Sequence, residues 1–416
     1  MPSPVPPDPA PTGPRDVGAV LVVGAGAAGV RAAATLRERG FPGRIVLVGA
    51  EDAAPYQRPP LSKQQLVGDT GPLPLRGPAF WAQRDIELVT GDPVTDLGVP
   101  AARATLRSGR TVAWDRAVLA TGATARPVGV PGGERAHLLR TAADAARLGA
   151  ALRSGAPRAV AVVGGGFLGL EVAAAARALG HDVTVVEVAP RLLGRVVSAP
   201  TAHHVAGLHR DRGVVLSLGS TVSAVADDHV RLGDGRALRA DVVVAAVGAV
   251  PATTLAAAAG LRCGPAGIGV DAFLRTSAPG VHAVGDCAAP GPGAVRVETV
   301  QNAEDQGRYA ALHLLGEVHE RYGGVAWGWT GQFGTTLQTV GGPAGHDRTV
   351  TVGDPGTGRF SVLCFAGDRL CGVESVNAPG DHVAARRLLA TGSGPSPAEA
   401  ARPGYAFARP AHRAAA

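Results

Sequence analysis

Lysine is almost missing from this chain: Lys63 is the only one, and every other strong cation is arginine. A codon bias that also enriches alanine, glycine, valine and proline explains most of that pattern. Position 63 still stands out, because a compact ammonium does what a planar guanidinium fork cannot. Aromatics are scarce at 4%, and apolar residues outnumber charged ones 46% to 18%, a balance that suits a soluble α/β protein. No apolar run approaches the ~20 residues of a membrane span, so no membrane association is expected. No basic segment with a small-residue cleavage site precedes the first apolar run, so no secretory signal is expected. Cys263, Cys287, Cys364 and Cys371 form no C-x-x-C pair and no zinc spacing. They read as buried thiols in a reducing compartment, the cytoplasm, with no metal site. The net charge of +6 comes without a basic run or an aromatic-basic patch, which disfavours nucleic acid and leaves an acidic protein as the expected partner. Residues 1–15, mostly Pro, Ser and Asp, read as a disordered tail.

What is present is one nucleotide-binding fingerprint, twice. Gly24, Gly26 and Gly29 follow the apolar run 19–23, and Gly164, Gly166 and Gly169 follow the run 159–163. Each set opens an Ala-rich helical pattern and leads to a second apolar strand, 45–48 or 183–186, with an acid near its end. This is the βαβ context the fingerprint needs. The first glycine permits the tight turn, the second admits a pyrophosphate, and the third lets helix and strand pack closely. The helix N-terminus offers free N–H groups to the phosphates. Glu187 closes the second unit, where a carboxylate accepts from a ribose 2′-OH and repels a 2′-phosphate; NADH is therefore expected over NADPH. In the first unit the acid is Glu51, two residues past the expected strand end; a ribose contact and a solvated acid both remain open. Two dinucleotides on one chain imply electron transfer between them.

The expected fold is α/β: two Rossmann-like dinucleotide-binding domains and a C-terminal antiparallel α+β domain. The boundaries read as 16–122 with 252–325, then 123–251, then 326–416. The strand pattern at 241–248 closes the second domain. Segments 269–271 and 280–287 read as further strands of the doubly wound sheet. A hairpin is expected from 359–365 and 370–376 around 366–369, followed by a short helix over 382–389.

Longer stretches carry a family resemblance. They are P-Y-Q-R-P-P-L-S-K at 55–63, L-A-T-G at 119–122, L-R-T at 139–141, V-G-G-G-F-L-G-L-E at 163–171 and A-V-G-D-C-A at 283–288. Over nearly everything after the tail, the chain resembles the FAD-dependent ferredoxin, putidaredoxin and rubredoxin reductases that serve bacterial cytochromes P450 and aromatic-ring dioxygenases. R-P-P-L-S-K is the specific string. The fingerprints and the G-D segment belong to the wider glutathione-reductase-like fold. A disulfide reductase of that fold would carry a redox cysteine pair where this chain has 58–63.

The resemblance implies FAD on the first fingerprint and NAD on the second. FAD contacts would come from Gly24, Gly26, Ala28, Gly29, Glu51, Arg58, Lys63, Val94, Thr121, Gly122, Arg140, Asp286 (on the ribityl chain), Val300 and Trp329. NAD contacts would come from Gly164, Gly166, Phe167, Leu168, Gly169, Glu187 and Gly248. Lys63 and Glu171 match a catalytic pair beside the flavin, where an ammonium near N5 would stabilise the charge left by hydride transfer. An ordinary structural ion pair is the alternative. Phe167 would shield the flavin face or simply pack in the core. The segment 327–333, W-G-W-T-G-Q-F, resembles the family's W-S-D-Q-Y stretch but departs from it at Gly331, where an acid is usual, and at Phe333 for Tyr. Ala50 stands at a position often acidic, and Ala252 replaces a common Asn.

The implied function is an NADH-dependent flavoprotein passing electrons from NADH through FAD to a small acidic iron–sulfur protein, a 2Fe–2S ferredoxin. Two alternatives stay open: an NADH oxidase or quinone-reducing flavoenzyme, and a redox-sensing interaction protein resembling apoptosis-inducing factor. Monomer and homodimer are equally compatible with the sequence.

Overall fold

The β-branched runs become strands and the Ala-rich runs that follow them become helices. A computed structural model of the chain describes residues 17–68, 70–291, 296–342 and 345–408. The tail expected over 1–15 lies outside them. The chain divides into two compact units. The first comprises the chain up to Gln57, Pro72–Thr124 and Ala249–Gly324; the second comprises Arg58–Gly71, Ala125–Gly248 and the chain from Val325 onward.

In the first unit a five-stranded parallel sheet runs in the order Val281–Ala283, Arg116–Leu119, Ala19–Val23, Arg44–Val48, Ile86–Val89. Leu21, Val22, Leu47, Val118 and Leu119 are fully buried, as expected of a parallel sheet covered on both faces. The helix Ala27–Glu38 packs on it and is crossed by the helix Val300–Leu314. The crossing is tight: a Cβ on Gly307 would lie 2.2 Å from the Ala28 carbonyl oxygen.

The second unit repeats the plan with four parallel strands, ordered Val215–Leu218, Asp182–Glu187, Ala159–Val163, Val242–Ala245. It also holds an antiparallel sheet ordered Trp327–Gln332, Thr335–Gly341, Arg369–Val376, Arg359–Ala366, Arg348–Asp354. The helix Pro379–Ala390 packs against that sheet over a core containing Phe365, Leu363 and Val373.

Three features differ from the sequence reading. The segment 269–271 does not join the doubly wound sheet; of it only Gly269 lies in a strand, Gly267–Gly269, which pairs with Cys263–Gly264 and Ala288–Ala289 in a small separate sheet. Glycine-rich and only three residues long, it lacks the apolar run a central parallel strand needs. The segment 58–71 groups with the second unit, because Arg153 Nη1 donates to the carbonyls of Leu66 and Gly68 at 3.0 and 3.3 Å. Only Cys287 and Cys364 are buried; Cys263 and Cys371 are half-buried, and all four are free.

Gly307→Ala should lower stability by about 1–3 kcal/mol, because its Cβ meets backbone and the helices must separate. Gly331→Ala, whose Cβ meets nothing within 4 Å, should change it by less than ~0.5 kcal/mol. Chemical denaturation followed by circular dichroism checks both; equal midpoints would show that the helix crossing tolerates the extra atom.

Candidate functional site: two glycine cradles and a lysine–glutamate pair

Both fingerprints sit where their strands end. Gly24 has φ +112° and Gly164 φ +113°, and a Cβ at either would lie 2.1 Å from the Ala120 carbonyl oxygen or 2.3 Å from that of Ala246. A Cβ on Gly29 would stand 1.9 Å from the Gly24 carbonyl oxygen, and one on Gly169 would stand 2.0 Å from that of Gly164. The outer glycines are thus demanded by the protein's own packing. The middle ones are not: a Cβ on Gly26 or Gly166 would meet no atom within 4 Å. Each caps a twelve-residue helix with no side-chain cap and no acid in its first turn, so no capping side chain takes up the terminal N–H groups. That cradle fits a dinucleotide pyrophosphate in both units.

The acids after the second strands differ. Glu187 turns back onto its fingerprint: Oε2 accepts from the Gly165 N–H at 2.6 Å and Oε1 from the Ala189 N–H at 2.8 Å. It is therefore held at the glycine cradle, where a ribose would lie. Glu51 accepts a hydrogen bond from the Tyr56 hydroxyl at 2.6 Å.

Other expected FAD contacts in the first unit follow carboxyl ends of parallel strands, where ligands of open α/β sheets bind. Thr121 and Gly122 come after Arg116–Leu119; Thr121 Oγ1 donates to the Ala252 carbonyl at 2.7 Å. Asp286 comes after Val281–Ala283, half-exposed in a run of otherwise buried residues, and its carbonyl accepts from Arg296 Nη1 at 2.8 Å. Val300 starts its helix, half-buried. Two residues have packing roles. Val94 lies against the core. Ala28 is buried, with its Cβ 3.2 Å from where a Cβ on Gly285 would stand.

In the second unit, Pro59–Ser62 forms a short 3-10 turn that ends at Lys63. Arg58 donates to the Arg140 carbonyl, and Arg140 precedes a capping box in which Thr141 and Asp144 exchange hydrogen bonds. Lys63 Nζ lies 2.8 Å from Glu171 Oε2 and donates to the Pro59 carbonyl at 3.0 Å. Glu171 rides on the fingerprint helix Phe167–Ala178 and is 8% exposed. Ser62 Oγ also donates to Oε2, and Thr330 Oγ1 donates to Oε1 at 2.6 Å. A buried carboxylate with three donors is a fixed negative point that holds the lysine ammonium in one place. Phe167 and Leu168 are half-buried at the helix start, and Gly248 follows the strand Val242–Ala245. Trp329 is 43% exposed on the face of its strand opposite Thr330.

The sequence reading stopped at Trp329 and missed Thr330, Gln332, Ser62 and His209, which line up around Glu171. The signal was available for two of them. With period-two alternation, Thr330 and Gln332 fall on the face opposite Trp329.

Comparison with known proteins agrees with this geometry. Residues 18–307 match the pyridine nucleotide-disulphide oxidoreductase family, and residues 327–409 match the reductase C-terminal family. Rhodocoxin reductase of Rhodococcus erythropolis is 42% identical over 395 residues, 92% of each chain. The solved ferredoxin reductase for the CYP199A2 system of Rhodopseudomonas palustris superposes with a TM-score of 0.90 at 38% identity, covering 94% of this chain and 98% of that one. The reductase in a covalent putidaredoxin reductase–putidaredoxin complex gives 0.87 at 35%, covering 93% and 96%. The chain therefore belongs to the pyridine nucleotide-disulphide oxidoreductase family, in its branch of FAD- and NAD-dependent ferredoxin reductases.

Proposed function

We propose that this reductase takes its electrons from NADH in preference to NADPH and delivers them to a small acidic 2Fe–2S ferredoxin serving a P450 or an aromatic-ring dioxygenase. FAD, when bound, would supply the redox chemistry: taking up one hydride, with its two electrons, and releasing those electrons singly. The chain's residues bind, orient and tune. Gly24, Gly26 and Gly29 receive one pyrophosphate, with Thr121, Gly122 and Asp286 at neighbouring strand ends. Gly164, Gly166 and Gly169 receive the other, with Glu187 on its adenosine ribose. Lys63 supplies a compact positive charge near the flavin N5.

The observation that carries the reading is Lys63 held 2.8 Å from a buried Glu171, the one lysine in a chain that otherwise uses arginine. The partner assignment draws on the relatives, among them terpredoxin reductase and putidaredoxin reductase of Pseudomonas, and on the net charge of +6. Among the described residues no helix is long and apolar enough to cross a membrane. The four free thiols suit a cytoplasmic location.

FAD should copurify without a covalent link, leaving a yellow protein whose pigment acid precipitation releases. A folded, colourless protein unable to take up FAD refutes the assignment. Added ferredoxin should be reduced rapidly at the expense of NADH; fast oxygen consumption without ferredoxin would identify an oxidase instead.

NADH should exceed NADPH in kcat/KM by ~10-fold or more, about 1.4 kcal/mol of discrimination. Glu187→Ala should narrow the gap chiefly by weakening NADH, since the Gly165 and Ala189 amides lose the carboxylate that would meet the ribose. An unchanged preference in that variant would move the determinant, with Arg191 the next candidate.

Lys63→Arg should keep FAD yet slow flavin bleaching by NADH in stopped flow, because a planar fork does not fit the compact site between Glu171 and the Pro59 carbonyl. Bleaching at the wild-type rate would reduce Lys63 to a structural ion pair.

A further inference from the structure

Glu171 is the end of a hydrogen-bond chain that crosses three elements of the second unit. Thr330 Oγ1 donates to Glu171 Oε1 at 2.6 Å, Gln332 Nε2 donates to Thr330 Oγ1 at 3.1 Å, and His209 Nε2 lies 2.7 Å from Gln332 Oε1. All four side chains are buried, and His209 is fully so. The lysine-paired carboxylate fixes the direction of every bond. An ionised carboxylate only accepts, so the Thr330 hydroxyl must give its proton to Glu171. The Thr330 oxygen then accepts from the Gln332 amide nitrogen. That leaves the Gln332 carbonyl oxygen facing His209, whose Nε2 must therefore carry the proton. Its Nδ1 is buried with no hydrogen-bond partner, so a proton there would be an orphaned donor. Burial lowers the pKa of His209, in agreement with a neutral ring.

The far end is also clamped. His209 lies on the helix Ala199–Asp211, its ring edge-on to Phe333 with centroids 5.0 Å apart. Phe333 sits at the tip of the hairpin that joins Trp327–Gln332 to Thr335–Gly341, with φ +51° followed by Gly334 at φ +76°. Left-handed backbone is unfavourable for a phenylalanine, and such strain persists where the surroundings hold it. Here the His209 edge and the Arg212 guanidinium, 5.6 Å from the ring centroid, do so.

We infer that Thr330, Gln332 and His209 are positioning residues: they orient the Glu171 carboxylate, so that Oε2 stays aimed at Lys63, through a chain of one-way hydrogen bonds anchored at the hairpin tip. The inference rests on the role given to Lys63 under the proposed function. Gln332 is the amphoteric link, because its amide presents an acceptor to His209 and a donor to Thr330 from one side chain.

Two measurements on the full-length, FAD-loaded protein test it. The first is the nitrogen-15 spectrum of His209, which needs no NADH. The neutral Nε2–H tautomer is expected at neutral pH; an Nδ1–H tautomer or a doubly protonated ring breaks the chain and overturns the inference. The second pairs removing and conserving variants in stopped flow. Thr330→Val and His209→Leu should retain FAD and bleach roughly tenfold more slowly with NADH, the scale on which small misplacements of reacting groups act. Thr330→Ser and His209→Gln, which keep a hydroxyl and a side-chain N–H donor, should stay within about twofold of wild type, the size of a small adjustment in geometry. Valine and leucine variants that bleach at the wild-type rate overturn the inference, as do serine and glutamine variants as slow as they are. A wild type that neither binds FAD nor bleaches with NADH defeats the proposed function instead, and the tautomer still decides the chain.

Discussion

The second unit depends on one buried negative charge. Removing a carboxylate from water is costly unless its lone pairs are satisfied, and Glu171 is satisfied by Lys63, Ser62 and Thr330 together. These come from a 3-10 turn near residue 60 and a strand beyond residue 326, while the carboxylate rides on the second fingerprint helix. No one of the three segments could accommodate Glu171 alone. Compensation of this charge, together with the Arg153 bonds to the Leu66 and Gly68 carbonyls, ties residues 58–71, remote in sequence from the rest of the unit, into it. It also explains why a lysine survives: a guanidinium would need room for a planar fork where the structure supplies one carboxylate oxygen and one carbonyl.

The two glycine cradles are the same backbone solution used twice, down to the left-handed first glycine and the close third glycine. They diverge at the acid after the second strand. Glu187 is tied to its own fingerprint by the Gly165 amide, which holds a carboxylate at the glycine cradle. Glu51 accepts from the Tyr56 hydroxyl, five residues on.

Much of this was legible in the amino-acid sequence, for physical reasons. A parallel strand buried on both faces needs a continuous apolar run, and a pyrophosphate turn needs glycine at fixed offsets, so both fingerprints and their strands could be read directly. The hairpin at 359–376 and the C-terminal antiparallel domain were legible through turn residues between β-branched runs. The segment 269–271 was misplaced because three residues with one apolar side chain among them carry no pattern that separates a central strand from a small peripheral one.

The sequence alone determined the local grammar: where strands end, which glycines must be glycines, and that a lone lysine sits in a string resembling that of the ferredoxin reductases. Tertiary structure decided which distant residues share a charge. Nothing in the spacing of Ser62, Glu171, His209, Thr330 and Gln332 announces that they meet, because hydrogen bonding between side chains more than a hundred residues apart depends on how sheets and helices pack, not on local periodicity. The carboxylate's need for donors is visible in one residue; the identity of those donors exists only in the folded chain.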